Sequence, residues 1–371
     1  MSAAEHPARE EISPAAVQPA SKSVIELTPL LAALTVVLAV APLLVSLRLL
    51  PWLATPLGLT AMLGLAYANG ANDVSRGTAT LVGAGVTDYR RALLWGTLWT
   101  GAGAVASAFA ARELVATFSA GLLANGARFA PPAALAVLIG TIGWLLLATR
   151  TGLPVSTTHS ITGAVVGVGM VSSGVSGVAW EKVAQKVALP LALGPVLAVG
   201  LGLAAYALLR LSPERVPYPA LHWLSSGGTS IARALNDTPK IVALGAGFSM
   251  AAGSESVPTW IFLATAAAMV TGSWDGGRRV THTLAERVTR LDEREGLGAN
   301  LATALLVAFA STRGLPVSTT HVASAAIVGV GARRGRGAVR WRTVGEVALA
   351  WVVTLPVTAL IGIAAYLLVV W

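Results

Sequence analysis

The octet GLPVSTTH occurs twice in this chain of 371 residues, at 152–159 and again at 314–321. Each copy sets three hydroxyl residues in a row, Ser156, Thr157 and Thr158 in the first and Ser318, Thr319 and Thr320 in the second, just after a Gly-x-Pro. Gly152 and Gly314 permit a sharp turn, and Pro154 and Pro316 are expected to end one helix and start another, where a missing N–H costs nothing. The first turn of that second helix would present unpaired backbone N–H groups, the positive end of the helix dipole and adjacent hydroxyl donors. This is anion-binding chemistry, and two facing copies would surround a small tetrahedral oxyanion. Capping and back-bonding to helix carbonyls is the ordinary alternative for a single copy, and the verbatim repetition favours a function. His159 and His321, three residues past each Ser, are expected to orient the loops. A Ser/His hydrolase would also need a carboxylate partner and a route for water, so no enzyme is expected.

A second polar pair also occurs twice, Asn72-Asp73 and Asn236-Asp237, each inside an apolar stretch. A carboxylate at membrane depth costs ~3 kcal/mol or more and marks a functional site by default, the alternative being a cap for a break in the helix. Arg76 and Lys240 follow the two Asp by three residues, a spacing at which acid and base on one helix can pair. The formal charge of two Asp, one Arg and one Lys is zero. The bases could equally snorkel to the membrane edge. An Asp beside an anion also needs a positive partner, either a fixed base or a co-transported cation.

These residues must be held by elements that live in lipid. Hydrophobic residues make up 55% of the chain and charged ones only 12%, and the mean hydropathy is +0.71. Apolar stretches long enough to cross ~30 Å of hydrocarbon as helices run at about 26–48, 56–87, 91–111, 187–209, 228–250, 257–277 and 345–370. Two more, at 131–171 and 298–331, are interrupted by the octets and are expected to be re-entrant hairpins, because a turn exposed to lipid would strand backbone polar groups. Residues 1–23 mix Pro, Ala and charges without a period and read as a disordered tail. The chain has no Cys, which excludes disulfides and thiolate metal sites, and no cofactor is expected. Its net charge of +9 lies mostly in connections between spans, so it signals topology and not a nucleic-acid partner.

Register places the repeat at about 160 residues: 162 positions separate His159 from His321, 164 separate Asp73 from Asp237, and 161 separate Trp180 from Trp341 and Pro195 from Pro356. The expected organisation is a tail (1–23), one extra transmembrane helix (24–50), a first repeat (51–210) and a second (211–371). Ten Arg flank the second octet region, whereas four basic residues flank the first. The expectation is an all-α polytopic protein of two inverted repeats, each with broken helices and one hairpin, with the N-terminus in the cytoplasm and the C-terminus outside.

The stretches YANGANDVSRGTATLVGAG and GGRRVTHTLAERVTRLDEREGLGANLATALLVAFASTRGLPVSTTH, with both octets, resemble the inorganic phosphate transporter (PiT) family of sodium- or proton-coupled permeases over roughly residues 56–371. The resemblance implies phosphate at the Ser/Thr loops, cation coupling by H+ or Na+ at Asn72, Asp73, Asn236 and Asp237, with sodium at Asp73 and Asp237, and assembly as a homodimer in the plasma membrane. Another oxyanion such as sulfate, or an anion channel, remains the alternative. The departure lies in Arg76 and Lys240, where sodium-coupled members usually carry small or amide residues. ALNDTPK likewise stands where GSND-type sequences are common.

Overall fold

A computed structural model of the protein describes residues 53–370 except 111, 120, 214 and 250–256. The tail and the extra helix expected at 24–50 lie outside them. Among the described residues the fold is all-helical, with no strand and two isolated bridges, Leu123 with Val178 and Thr289 with Val339. In chain order the helices are α1 Ala54–Asp73, α2 Ser75–Gly83, α3 Tyr89–Ala110, α4 Arg112–Ser119, α5 Pro131–Thr151, α6 Thr157–Ser173, α7 Trp180–Arg210, α8 Tyr218–Ser249, α9 Thr259–Glu286, α10 Glu293–Thr312, α11 Thr319–Ala332 and α12 Trp341–Val370. Among these, α3, α5, α7 and α12 are both long and apolar enough to cross a membrane. Helices α8 and α9, at 32 and 28 residues, have the length but carry charged turns. The apolar window 257–277 stops short of the end of α9 because Arg278 and Arg279 follow it, and the window 228–250 begins ten residues into α8.

Both octets connect two helices through the same turn. Gly152 and Gly314 adopt φ of 72° and 67°, a left-handed conformation that a Cβ would strain. The amides of Gly152 and Leu153 return to Thr149 O and Ala148 O, at 3.1 and 2.8 Å, and those of Gly314 and Leu315 to Ser311 O and Ala310 O, at 3.2 and 2.9 Å. The second helix of each pair opens later than its Pro suggests. Ser156 and Ser318 are the N-caps, with extended backbones, and their hydroxyls accept the amides of His159 and His321 at 3.2 Å. Pro154 and Pro316 therefore stop the first helix without starting the second, because a Ser that satisfies a free N–H makes the better start.

The Asn-Asp segments differ between the halves. A turn at Val74 separates α1 from α2 directly after Asp73. Helix α8 runs unbroken through Asn236 and Asp237, so the expectation of a matching break is corrected. Pro239, inside α8, has no N–H to donate to the Leu235 carbonyl, and this loosens the ladder without ending it.

Packing is crossed. The next long helix after each Asn-Asp segment lies on the other half's segment, α9 on α1 and α3 on α8, while α12 lies on α5 and α6 and α7 lies on α10 and α11. At the α1–α9 contact a methyl at Gly70 would sit 2.1 Å from Met269 O and one at Gly272 1.9 Å from Tyr67 O, so only Gly allows the approach. One apolar core gathers around α5, α6 and α12 and another around α10 and α11. The polar residues of the two loops and the two Asn-Asp segments are buried with these cores.

Candidate functional site

The two loops meet in a reciprocal exchange. Thr320 Oγ1 donates to Val155 O at 2.7 Å, and Thr158 Oγ1 donates to Val317 O at 3.0 Å, so the third hydroxyl of each octet closes on the other octet's backbone. Arg76 fastens one crossing: its Nη2 donates to Thr320 Oγ1 (2.7 Å), Asp73 Oδ1 (2.9 Å), Asn72 Oδ1 (2.9 Å) and Val155 O (3.0 Å). Lys240 fastens the other, with Nζ donating to Thr158 Oγ1 (2.6 Å), Asp237 Oδ1 (3.2 Å) and Val317 O (3.4 Å). Both bases are fully buried, so neither snorkels, and both Asp-base pairs of the sequence reading are formed. Buried charges are tolerated only when paired and hydrogen-bonded in this way.

Asn69 ties the carboxylates together. Its Nδ2 donates to Thr157 Oγ1 (2.9 Å), Asp73 Oδ2 (3.1 Å) and Asp237 Oδ2 (3.2 Å), and Thr157 Oγ1 donates to Asp73 Oδ2 at 3.2 Å. Asn72 and Asn236 brace the loops: Asn72 Nδ2 donates to Thr149 Oγ1 (3.0 Å) and Leu153 O (3.1 Å), and its Oδ1 accepts the Val155 amide (3.3 Å). Asn236 Nδ2 donates to Asp237 Oδ1 (2.9 Å) and Val317 O (3.0 Å). The Ser156 hydroxyl, besides capping, lies 3.0 Å from His159 Nδ1. The His159 and His321 rings face each other at 4.4 Å between centroids, and His321 stacks on Trp351 at 3.8 Å. Every sequence-designated residue thus lies in one buried cluster. The exception in bonding is Thr319, a buried residue whose hydroxyl makes no hydrogen bond to protein among the described residues.

The sequence reading missed Asn69 and Arg233. Arg233, on α8 one turn before Asp237, is fully buried and donates to Asn69 Oδ1 (3.1 Å), Thr100 Oγ1 (2.7 Å) and Ser273 Oγ (3.5 Å). It raises the cluster to three bases against two Asp, so the formal charge is plus one and not zero. The signal was present, since Arg233 precedes Asp237 by four residues as Asn69 precedes Asp73. Chemically, the cluster offers hydroxyl and cationic donors to an anion and carboxylates to a cation or a proton.

Comparison with known proteins agrees in kind. The model of the phosphate transporter family matches residues 69–217 and 212–362. The chain is 32% identical over 310 residues to a probable low-affinity inorganic phosphate transporter of Rhizobium meliloti, covering 81% of this chain and 92% of that one. It is 27% identical over 318 residues to a protein of the same description from Bacillus subtilis, covering 81% and 92%. Among solved structures, one described as the sodium-dependent phosphate transporter superposes with a TM-score of 0.76 at 24% identity, covering 85% of this chain and 98% of that one. That likeness bears on the fold.

Proposed function

The chain belongs to the phosphate transporter family, and from that premise we propose that this multi-pass membrane protein carries inorganic phosphate by alternating access between two inverted halves, 51–210 and 211–371. The observation that carries the reading is the reciprocal loop crossing: two Ser/Thr-rich turns, each latched by the other half, with an Asp-base pair on either side. Such an arrangement is symmetric between two directions of access, which is what a carrier needs and a plain pore does not. The hydroxyls of Ser156, Thr157, Thr158, Ser318, Thr319 and Thr320 serve as donors to phosphate. The octet turns would then be re-entrant hairpins, which the burial of their Ser, Thr and His residues supports. Assembly as a homodimer belongs to the same reading.

Coupling by a cation follows from Asp73 and Asp237. Arg76 and Lys240 occupy them at 2.9 and 3.2 Å, where a sodium ion would otherwise compete. At an effective dielectric near 20, a cation at about 4 Å is worth roughly 4 kcal/mol to a carboxylate, so the bases can stand in for one or both ions and leave the coupling to protons. The test is phosphate uptake into proteoliposomes under imposed sodium and proton gradients, with counterflow to separate carrier from channel. The expected result is saturable uptake driven by the proton gradient and weakly affected by sodium. Uptake abolished in choline medium at constant pH and potential would show that the bases do not replace sodium. Sulfate uptake in place of phosphate would overturn the substrate.

A further inference from the structure

Helices α7 and α12 are both long and apolar enough to cross a membrane, yet they barely touch each other, and α12 barely touches α11. The space left over α11 is a groove of about 250 Å³. Its walls are Val196 and Val199 on α7 and Val344 and Trp351 on α12, and its floor is Ser324 and Val328 on α11. The lining is almost wholly apolar. Val196 on the rim and Leu197, Leu349 and Val352 beside it are exposed, so on helices of this kind the groove opens to lipid.

One end of the groove is charged. Val288 lines that end; its carbonyl accepts the Arg340 amide at 3.0 Å, and the Arg340 carbonyl accepts the Val344 amide at 3.2 Å. Residues 286–290 and 340–346 carry four Arg, Arg287, Arg290, Arg340 and Arg342, against two Glu, an excess of two positive charges. Glu346 is shared by Arg287 and Arg342 at 3.5 and 3.4 Å. Arg290 and Arg340 are exposed and make no ion pair among the described residues, the Arg340 guanidinium meeting only the Glu286 backbone carbonyl at 3.2 Å. Trp351 lies about 10 Å further along α12 than Val344. Its ring stacks on His321 of the second octet at 3.8 Å.

We infer that this groove binds an anionic phospholipid, with one acyl chain between α7 and α12 and the phosphodiester at Arg290 and Arg340. Spread over about 10 Å, the volume amounts to a channel about 5 Å across, the width of an alkyl chain and half that of a helix, so a helix of a second copy does not fit. An acyl chain suits a slot with almost no polar lining, and a headgroup of net negative charge supplies the counter-ion that the two Arg lack. On the proposed inversion this end lies at the cytoplasmic leaflet, whose anionic lipids are drawn to clustered Arg and Lys beside membrane helices. The chain's far end would rest on Trp351 and, through it, back the second octet from outside the polar cluster.

The experiment is native mass spectrometry of the purified protein in detergent, free of inorganic phosphate, with equal amounts of phosphatidylglycerol and phosphatidylcholine carrying the same acyl chains. One phosphatidylglycerol should stay bound per chain, about tenfold in preference to phosphatidylcholine. Arg290→Gln combined with Arg340→Gln should abolish the preference, and Ala348→Phe, which fills the groove from α12, should lower retention of both lipids. Equal retention of the two lipids by the wild type, a preference untouched by the Arg pair, or retention untouched by Ala348→Phe would each overturn the inference. Loss of phosphatidylglycerol on adding inorganic phosphate would also overturn it, because the two Arg would then hold the free ion. A dimer fraction that falls in Ala348→Phe while lipid retention stays the same would give the groove to a second copy instead. If Ala348→Phe does not fold, the wild-type lipid pair and the exposed Arg variants still decide the matter.

Discussion

At the scale of residues, the two middle threonines of the octets are identical in sequence and different in employment. Thr157 is bonded to Asn69 and Asp73, whereas Thr319 has no protein bond. Loss of one donor to a charged ligand costs ~1.5 to 3 kcal/mol, roughly ten- to a hundredfold in affinity. Thr319→Val should therefore lower phosphate affinity by about that factor and leave the melting temperature where it was. Thr157→Val should lower both, because it also strips Asp73 of a donor. Phosphate titration beside thermal unfolding separates the two, and wild-type affinity in both variants would end the donor assignment. These hydroxyls, the Asp pair and their bases were legible because the repeat printed them twice. Arg233 was not, because its mate is a neutral Asn: the repeat breaks there, and the apolar run around it absorbed a single Arg.

At the scale of elements, the crossing of α1 and α9 sets the position of Asn69, Asn72 and Asp73 at once. Gly70→Ala would place a methyl 2.1 Å from the Met269 carbonyl, and overpacking of that kind typically costs ~1 to 3 kcal/mol. The expected outcome is a lower melting temperature together with lost uptake, while Gly200→Ala on α7, with nothing within 4 Å, should match wild type in both. A tolerated Gly70→Ala would show that the crossing has slack. Helix existence was readable from hydropathy, and the left-handed turns were readable from Gly-x-Pro. Helix starts were less so: Pro and Ser both suit a helix N-terminus, and only the hydrogen bonds to His159 and His321 N–H show that Ser holds it. The charged end of α9 was lost for the opposite reason, since a window that counts apolarity discards the turns from Arg278 to Glu286 that the helical ladder keeps.

At the scale of the whole molecule, the proposed inversion makes a directional statement. On that proposal, ten Arg beside the second octet region against four bases beside the first would put those flanks on opposite sides of the membrane. In this Cys-free chain, a cysteine at the exposed Ser173 should react with an impermeant reagent from outside, and one at the exposed Gly337 only from the cytoplasm. Gly337 is the better position than its neighbour Gly335, whose φ of 104° a side chain would strain. Labelling of both from one side would refute the inversion. The sequence indicated two halves, but not that they are interlaced, because no local pattern states which helix a distant glycine will face.

That interlacing has a consequence for how the protein is made. Gly163 of α6 fits against the Leu355 carbonyl of α12 so closely that a methyl would come within 2.3 Å, and α12 is synthesised long after α6. The first octet's helix pair is therefore synthesised long before this neighbour exists, and its seam of Gly and Thr stays unfilled until then. Contacts between residues so far apart in sequence are slow to form. The candidate cluster is thus completed only once α12 has been made: a chain that stopped before α12 would carry both octets, both Asp and all three bases, and still lack the wall that holds the first loop in place.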